Sequence, residues 1–488
     1  MIASHNPHYH RHSEFWILVH DSYTGASEVK DGPHSLRYLP PQKSELEELE
    51  AGITVEKSQY GIRRAFASYE NFFRPTIDDI SGIMQKNPAI VRFGVRDRSE
   101  SPPEVVDIEA NGNRYNDGLS GLKYRLNFNQ VLYGRYGLLL DVVTDDSGLR
   151  PRFCISEYPA VSILDGQTAS SSSGNGCLEW VLLDETSWKI DLSTKTWSPD
   201  YRLRVLGLDR NGDFYQSVIS GDDYCSEWLA FDLRNPPPET TTYPEWKQRR
   251  IQFIPFTICN VNRLGWDEWQ EPPYMDVAQI AISHYQVDSW YKKSIRNHAT
   301  PTLVVCNADK ENQKLFLGGA IWPKSSGSHP ASVSLLETTG SGMAEMRNAK
   351  EAIRSTLRYS SIRDLLDGAG ANSSGNAIQL RTASGTAAIA AIDRAGAKAI
   401  EEQLVFASDW SGVTHEQSCE RISYTADTAY LGSDYQLQAI VALIQANQMT
   451  NTLSPQNLYA VLEKSLPGVL SSFEDNEEQK IFSGDEMV

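Results

Sequence analysis

The chain is poor in cysteine, and the cysteines it has are not spaced for a metal. Six lie scattered at 154, 177, 225, 259, 306 and 419. No two form a CxxC pair, which argues against a zinc site. In a chain of 488 residues they read as free thiols of a reducing compartment. No apolar run approaches the roughly 18 residues of a membrane span. The N-terminus is polar and lacks a signal-peptide core, so synthesis in the cytoplasm is expected, with no membrane partner. Basic residues are outnumbered 45 to 63, for a formal charge of −18. A protein that grips DNA by neutralising phosphates is expected to be basic. An acidic one remains compatible with DNA that must slide.

Catalytic signatures are also lacking. There is no GxSxG, no HExxH and no kinase DFG/HRD set. The nearest approach to a nucleotide site is Gly370-Ala-Asn-Ser-Ser-Gly375, which has P-loop glycine spacing. A P-loop needs a Lys for the phosphates and a Ser or Thr for magnesium, and those places hold Asn376 and Ala377. A P-loop also follows a strand, whereas this loop follows a helical pattern. No catalytic, cofactor-binding or metal-binding residue is identified, no cofactor is expected, and the chain reads as a non-enzyme.

What is present is an ordinary globular composition, 40% apolar and 22% charged, sufficient for a sizeable core and about two to four domains. Residues 1–43 hold "SHNPHYHRHSEF". Its histidines have no fixed ligand spacing, so a flexible or partner-bound arm is expected. "SELEELEAG" opens a helix with a Ser44/Glu47 capping box, and a second helical stretch over about 57–85 is expected to break near Pro75. Helix then strand covers 119–140. Residues 151–260 are short β-rich runs with turn signals. A long helix begins after Pro272 and Pro273, where proline is tolerated. Strand-like "TPTLVVCN" and "KLFLGGAIWP" follow, then a helix over 342–366, the glycine-rich loop, and a long helix over 378–410. A strand near 421–431, two helices and an acidic tail over 471–488 complete the chain. No 20–50-residue repeat occurs.

Three constellations invite a sharper reading. His284 and Asp288 lie one helical turn apart; two metal ligands are conceivable, but a surface hydrogen-bonded pair is the expectation. His415 and Cys419 are close, with no oriented third group. Arg347, Lys350, Arg354 and Arg358 recur every three or four residues on one helix face. That stripe is either a solvated basic face or a cationic surface toward acidic neighbours or DNA backbone. The small residues of "TASGTAAIAAIDRAGAKAI" let another helix approach closely and favour an oligomer.

Several segments occur in an informative order: "YGIRRAFASYENFFRPTIDDISGIMQKNP" (60–88), "NDGLSGL" (116–122), "VLYGRYGLLLD" (131–141), "SEYPAVSILD", "YRLRVLGLDRNGDFY", "IPF", "EPPYMDVAQIAISHYQVDSW" (271–290), and "RTASGTAAIAAI" closing near "WSG". Over about residues 44–462 the chain resembles the portal proteins of tailed bacteriophages and prophages, the head-to-tail connectors. The resemblance implies an α+β portal fold: N-terminal arm 1–43, wing 44–271, stem helix 272–299, clip 300–341, second stem helix 342–366, tunnel loop 367–377, long wing helix 378–420, wing strand and crown helices 421–470, and tail 471–488. It implies a ring, of twelve subunits, at the capsid vertex of the virion, assembled in the host cytoplasm. Double-stranded DNA would pass through it during packaging and ejection. The terminase large subunit, a head–tail adaptor and the major capsid protein would be its partners. Gly370, Asn372, Ser373, Ser374 and Asn376 would form an uncharged loop facing the DNA. Phe316 and Trp322 would be exposed clip anchors, or equally the clip's own core. The alternatives are another phage head–tail structural adaptor or a nucleotide-binding enzyme, and only the near-P-loop supports the latter.

Overall fold

The computed structural model describes residues 6–95, 97–144, 151–168, 178–261, 269–299, 302–306, 332–336, 341–360 and 375–428. Helix and sheet are mixed, as an α+β class requires. Helices of six residues or fewer aside, the order begins with α1 (Pro7–Thr24), α2 (Lys43–Glu50), α3 (Gln59–Phe66), α4 (Phe73–Met84), β1 (Ile90–Phe93) and α5 (Gly118–Tyr133). Strands β2 (Arg135–Thr144), β3 (Pro151–Pro159), β4 (Ile163–Thr168), β5 (Leu178–Asp184), β6 (Ser187–Asp191) and β7 (Thr196–Asp200) follow. Next come β8 (Arg202–Leu208), β9 (Phe214–Ser220), β10 (Thr241–Thr242) and β11 (Phe256–Asn260). The chain continues through α6 (Met275–Ala299), β12 (Thr302–Cys306), β13 (Ser332–Leu336), α7 (Ser341–Ser360), α8 (Gly375–Trp410), α9 (His415–Arg421) and β14 (Ile422–Thr425).

Two compact units result, one of Met1–His20, Pro75–Met275 and Leu365–Val488, the other of Asp21–Arg74 and Asp276–Asp364. In the first, a five-stranded antiparallel sheet runs β10-β9-β8-β5-β4 and a three-stranded one runs β11-β2-β3. Strand alternation explains the packing. Val181, Leu183, Leu206 and Phe214 point into a core shared with Leu138, Leu140, Ile155, Ile258, Ile400, Leu404 and Trp410. Their neighbours Leu182, Leu203, Val205 and Tyr215 point to the opposite face, where Tyr9 and Trp16 cover them.

That second face corrects the expectation for the N-terminus. Residues 7–24 are an 18-residue helix rather than a flexible arm. Trp16 is 1% exposed and its indole N–H donates to the Tyr133 carbonyl at 3.1 Å. The Tyr9 hydroxyl donates to the Val161 carbonyl at 2.8 Å. Burying two such rings contributes on the order of 2 kcal/mol each, enough to hold a terminus that composition alone leaves loose.

Helix α8 crosses α5 and lies on β2 and β11. Its small residues, expected to serve contacts between copies, are used inside this unit from Ile389 onward: Ala390, Ala395, Ala397 and Ala399 are buried. A Cβ on Gly396 would sit 2.3 Å from the Asn127 side-chain oxygen, so glycine permits the close crossing. Helix α5 ends at Gly134, whose φ of 79° lies in the left-handed region, and the chain turns there into β2.

In the second unit α6 and α7 run antiparallel, since Asp288 meets Lys350 while Ser294 meets Met346. Strands β12 and β13 connect their ends as an antiparallel pair, with Thr302 opposite Leu336 and Cys306 opposite Ser332. Two local expectations change. Helix α2 is capped by Gln42 with Glu45, not by Ser44 with Glu47. The break in 57–85 falls over 67–72, and Pro75 sits in the first turn of α4, where its missing N–H costs little. The run 314–323 and everything beyond residue 428, including the expected crown helices and acidic tail, lie outside the described residues.

Candidate functional site

The long helix α6 carries the most unusual chemistry of the second unit, and the basic stripe leads into it. Arg347 is exposed. Lys350 turns inward and donates to Asp288, whose side chain is 0% exposed. Arg354 approaches the Glu70 carboxylate at 3.9 Å. The side chain of Arg358 lies outside the described residues. Lys350 therefore meets a buried acidic group of its own unit, while Arg354 stays part-exposed beside Glu70.

Asp288 corrects a second expectation. It and His284 are both fully buried and do not form a surface pair. The carboxylate accepts from the Ser68 backbone N–H at 2.8 Å and lies 3.0 Å from the Lys292 ammonium, in addition to Lys350. Burial pushes its pKa up, but the bonds from Lys350, Ser68 and Lys292 outweigh this, and the net shift is downward. His284 is different: neither ring nitrogen has a hydrogen-bond partner among the described residues, and the two rings of His284 and Phe72 meet edge-on at 5.5 Å. Burial lowers its pKa, which keeps the imidazole neutral.

One turn further along α6 is a second buried ion cluster that local spacing could not reveal, because its members are far apart in sequence. Arg63 holds Glu45 through Nε at 3.0 Å and Nη2 at 2.8 Å. Its remaining donors reach the Pro40 carbonyl and the Ser289 hydroxyl. The Lys293 ammonium adds a contact to Glu45 at 3.0 Å. Both Arg63 and Glu45 are essentially unexposed, at 1% and 0%. Burial acts against the Glu45 carboxylate, but Arg63, the Gln42 N–H and Lys293 lower its pKa to about 2. A fork-to-fork pair in which all three guanidinium nitrogens donate is a rigid fastener, and it ties α2 and α3 to α6.

In the first unit two of the ordered sequence segments meet. Gln85, Asn87 and Pro88 of one and Asn116, Asp117, Gly118 and Ser120 of the other line a cleft of about 620 Å³. Below it, the buried Lys123 ammonium lies 2.9 Å from Asp393 and donates to the Met84 carbonyl. The cleft is thus positioned by α4, α5 and α8 together. Also in this unit, Cys419 Sγ lies 3.6 Å from His415 Nε2, and His415 Nδ1 is 2.8 Å from Asp409. Asp409 is the third group that sequence spacing did not indicate. Burial and then the Asp409 charge push the Cys419 thiol up, so it stays protonated near neutrality, unlike an activated nucleophile.

Of the expected channel loop, Gly370, Asn372, Ser373 and Ser374 lie outside the described residues. Gly375, Asn376 and Ala377 belong to the first turn of α8, so Asn376 is helical in backbone rather than part of a loop. Phe316 and Trp322 also lie outside the described residues. Among the described residues no group of three or more His, Cys, Asp or Glu side chains is arranged for a metal. No described helix is long and apolar enough to cross a membrane.

Residues 273–411, from the start of α6 to the end of α8, match a domain family of unknown function, DUF4055. No curated protein matches the chain. Among solved structures, a chain from "Neck of empty GTA particle computed with C6 symmetry" is similar at 13% identity and a TM-score of 0.41, covering 82% of this chain and 92% of the other. A chain from "Neck of native GTA particle computed with C12 symmetry" gives 13% and 0.39 over the same shares. One from "Virion of native gene transfer agent (GTA) particle" gives 14% and 0.38, over 78% and 88%. At such identities and scores the function has to be argued from the chain itself.

Proposed function

We propose that the chain is a portal protein: a ring at the capsid vertex of a phage-like particle through which double-stranded DNA is packaged and ejected. The observation that carries this reading is an order of elements. Helix α6, the β12–β13 pair, antiparallel α7 and then the 36-residue α8 succeed one another as the portal resemblance requires for stem, clip, stem and long wing helix.

The chemistry of these elements suits a conduit. The two buried ion clusters fix α6 against α2, α3 and α7, so the stem keeps its shape under load. The connection between α7 and α8 contains Gly370, Asn372, Ser373 and Ser374. It offers small polar groups that can touch phosphates, and the run from Gly368 to Ala377 has no Lys or Arg to make a salt-dependent grip. A net charge of −18 discourages adhesion of a polyanion. In this reading the subunits number twelve, and the terminase large subunit docks on the clip before the head–tail adaptor replaces it. The major capsid protein surrounds the ring. The protein hydrolyses no nucleotide itself.

Shortening residues 370–375 in assembling particles tests the reading. Rings of unchanged size that retain less DNA are expected. Unchanged DNA content would contradict a channel role, and loss of rings would contradict the assignment of this stretch to a loop.

A further inference from the structure

One turn before Asp288, helix α6 carries a buried titratable side chain with no partner. His284 is 0% exposed, and among the described residues neither ring nitrogen has a hydrogen-bond partner. A neutral imidazole has one donor and one acceptor, and a buried polar group left unsatisfied weakens a fold. Groups from three elements face the ring. The segment 67–72 supplies Phe72, edge-on at 5.5 Å, and the charge of Glu70. Helix α7 supplies the charges of Lys350 and Arg354, and α6 itself supplies that of Asp288.

None of these groups is bonded to the ring. Asp288 already accepts at both oxygens, from Lys350 at Oδ1 and from the Ser68 N–H at Oδ2, where the Lys292 ammonium also lies 3.0 Å away. The Glu70 carboxylate is 3.9 Å from Arg354, and Nε of Arg354 is itself buried without a partner among the described residues. A proton added to His284 therefore places a third cation near Lys350 and Arg354, out of reach of water and with no carboxylate bonded to it. Burying a charge in that way is costly. The neutral ring suits the position and the imidazolium does not: burial above all lowers its pKa from the ordinary 6.5.

We infer that His284 is an acid-sensitive joint, whose protonation loosens α7 and the 67–72 segment against α6 while the Arg63–Glu45 pair still fastens α2 and α3. An imidazolium is hydrated only when its cover moves, and Phe72 and α7 are that cover. A base whose folded pKa lies below its unfolded value leaves stability complete above the unfolded value, here 6.5, and withdraws it as pH falls from there toward the folded one. The Glu45 carboxylate, at about 2 against an ordinary 4.5, keeps its charge as that window opens. Asp288, lowered from 3.8, keeps its own. Loosening at His284 thus precedes neutralisation of either carboxylate. The inference does not rest on the ring reading, since the joint lies within one unit of one chain.

The test uses the full chain. Amide hydrogen exchange is read by mass spectrometry between about pH 7.5 and pH 5 and corrected for the intrinsic pH dependence of exchange. In the wild type, protection over 67–72 and 341–357 should fall below pH 6.5 by up to about tenfold per pH unit, the most that one proton allows, while 59–66 holds. His284→Met, which takes up no proton, should abolish the fall. His34→Gln, at another histidine of the same unit, should keep it. Deuterium exchange at the imidazole C2 position of His284, measured on the wild type, gives the ring's own midpoint and decides the matter if the methionine variant misfolds. A midpoint below 6.5, with protection falling between 6.5 and that midpoint, is expected. A midpoint at or above 6.5, protection that does not fall in the wild type, a fall that persists in folded His284→Met, or one that His34→Gln abolishes overturns the inference.

Discussion

Replacing Glu45 by Gln keeps the shape of the side chain and removes its charge. In the wild type, Arg63 grips both Glu45 oxygens and Lys293 adds a third contact, all at a carboxylate with no exposed surface. The folded pKa is about 2, against an ordinary 4.5. At about 1.4 kcal/mol per unit, that difference corresponds to roughly 3 kcal/mol of stability at neutral pH. The figure matches the about 3–5 kcal/mol expected when one partner of a buried pair is removed. Because the folded pKa is depressed, the contribution is complete above the unfolded pKa and fades as pH falls from about 4.5 toward 2. Hydrogen exchange read by mass spectrometry over 59–66 and 275–299 is the appropriate assay, since a two-unit chain need not unfold in one step. Glu45→Gln should reduce protection in both helices by about two orders of magnitude at pH 7, and variant and wild type should converge toward pH 2–3. A variant as protected as wild type at pH 7, or a difference that persists unchanged at low pH, would refute the assignment of this cluster as the fastener of α2 and α3 to α6.

Two further outcomes are expected. Lys123→Met leaves Asp393 buried without its cation and should cost about 3–5 kcal/mol, while Lys123→Met/Asp393→Leu should recover most of it; a double-mutant cycle on thermal midpoints shows whether the coupling exists. On the basic stripe, Lys350→Ala should lower exchange protection of α6 strongly because Asp288 loses a buried partner, whereas exposed Arg347→Ala should change it by less than about 0.5 kcal/mol; equal effects would mean the stripe acts as one surface.

Much of the order of elements was legible from local signals. Pro272 and Pro273 mark the start of α6, the short β-rich runs of 151–260 became paired strands, and the helix-then-strand reading of 119–140 became α5 and β2. The interior of the site was not legible. Glu45, Arg63 and Lys293 come together only after three helices pack, so no spacing rule connects them. His284 and Asp288 have the spacing of a surface pair, and only the approach of α7 and Ser68 shows that Asp288 is buried among cations. The N-terminal helix illustrates the same limit. Its polar, histidine-rich composition resembles a loose arm, and its ordering follows from the second apolar face of a sheet more than a hundred residues away. For the small residues of α8, periodicity identified close helix contact, but the contact from Ile389 onward is with α5 and β2 of the same chain.

In the proposed function, copies of this chain close into a ring around a channel. Negative-stain electron microscopy of the purified full chain, across salt and protein concentration, tests it most directly. Closed rings of uniform size with a stain-filled central hole are expected. A field of isolated particles without a hole, under every condition, would contradict it.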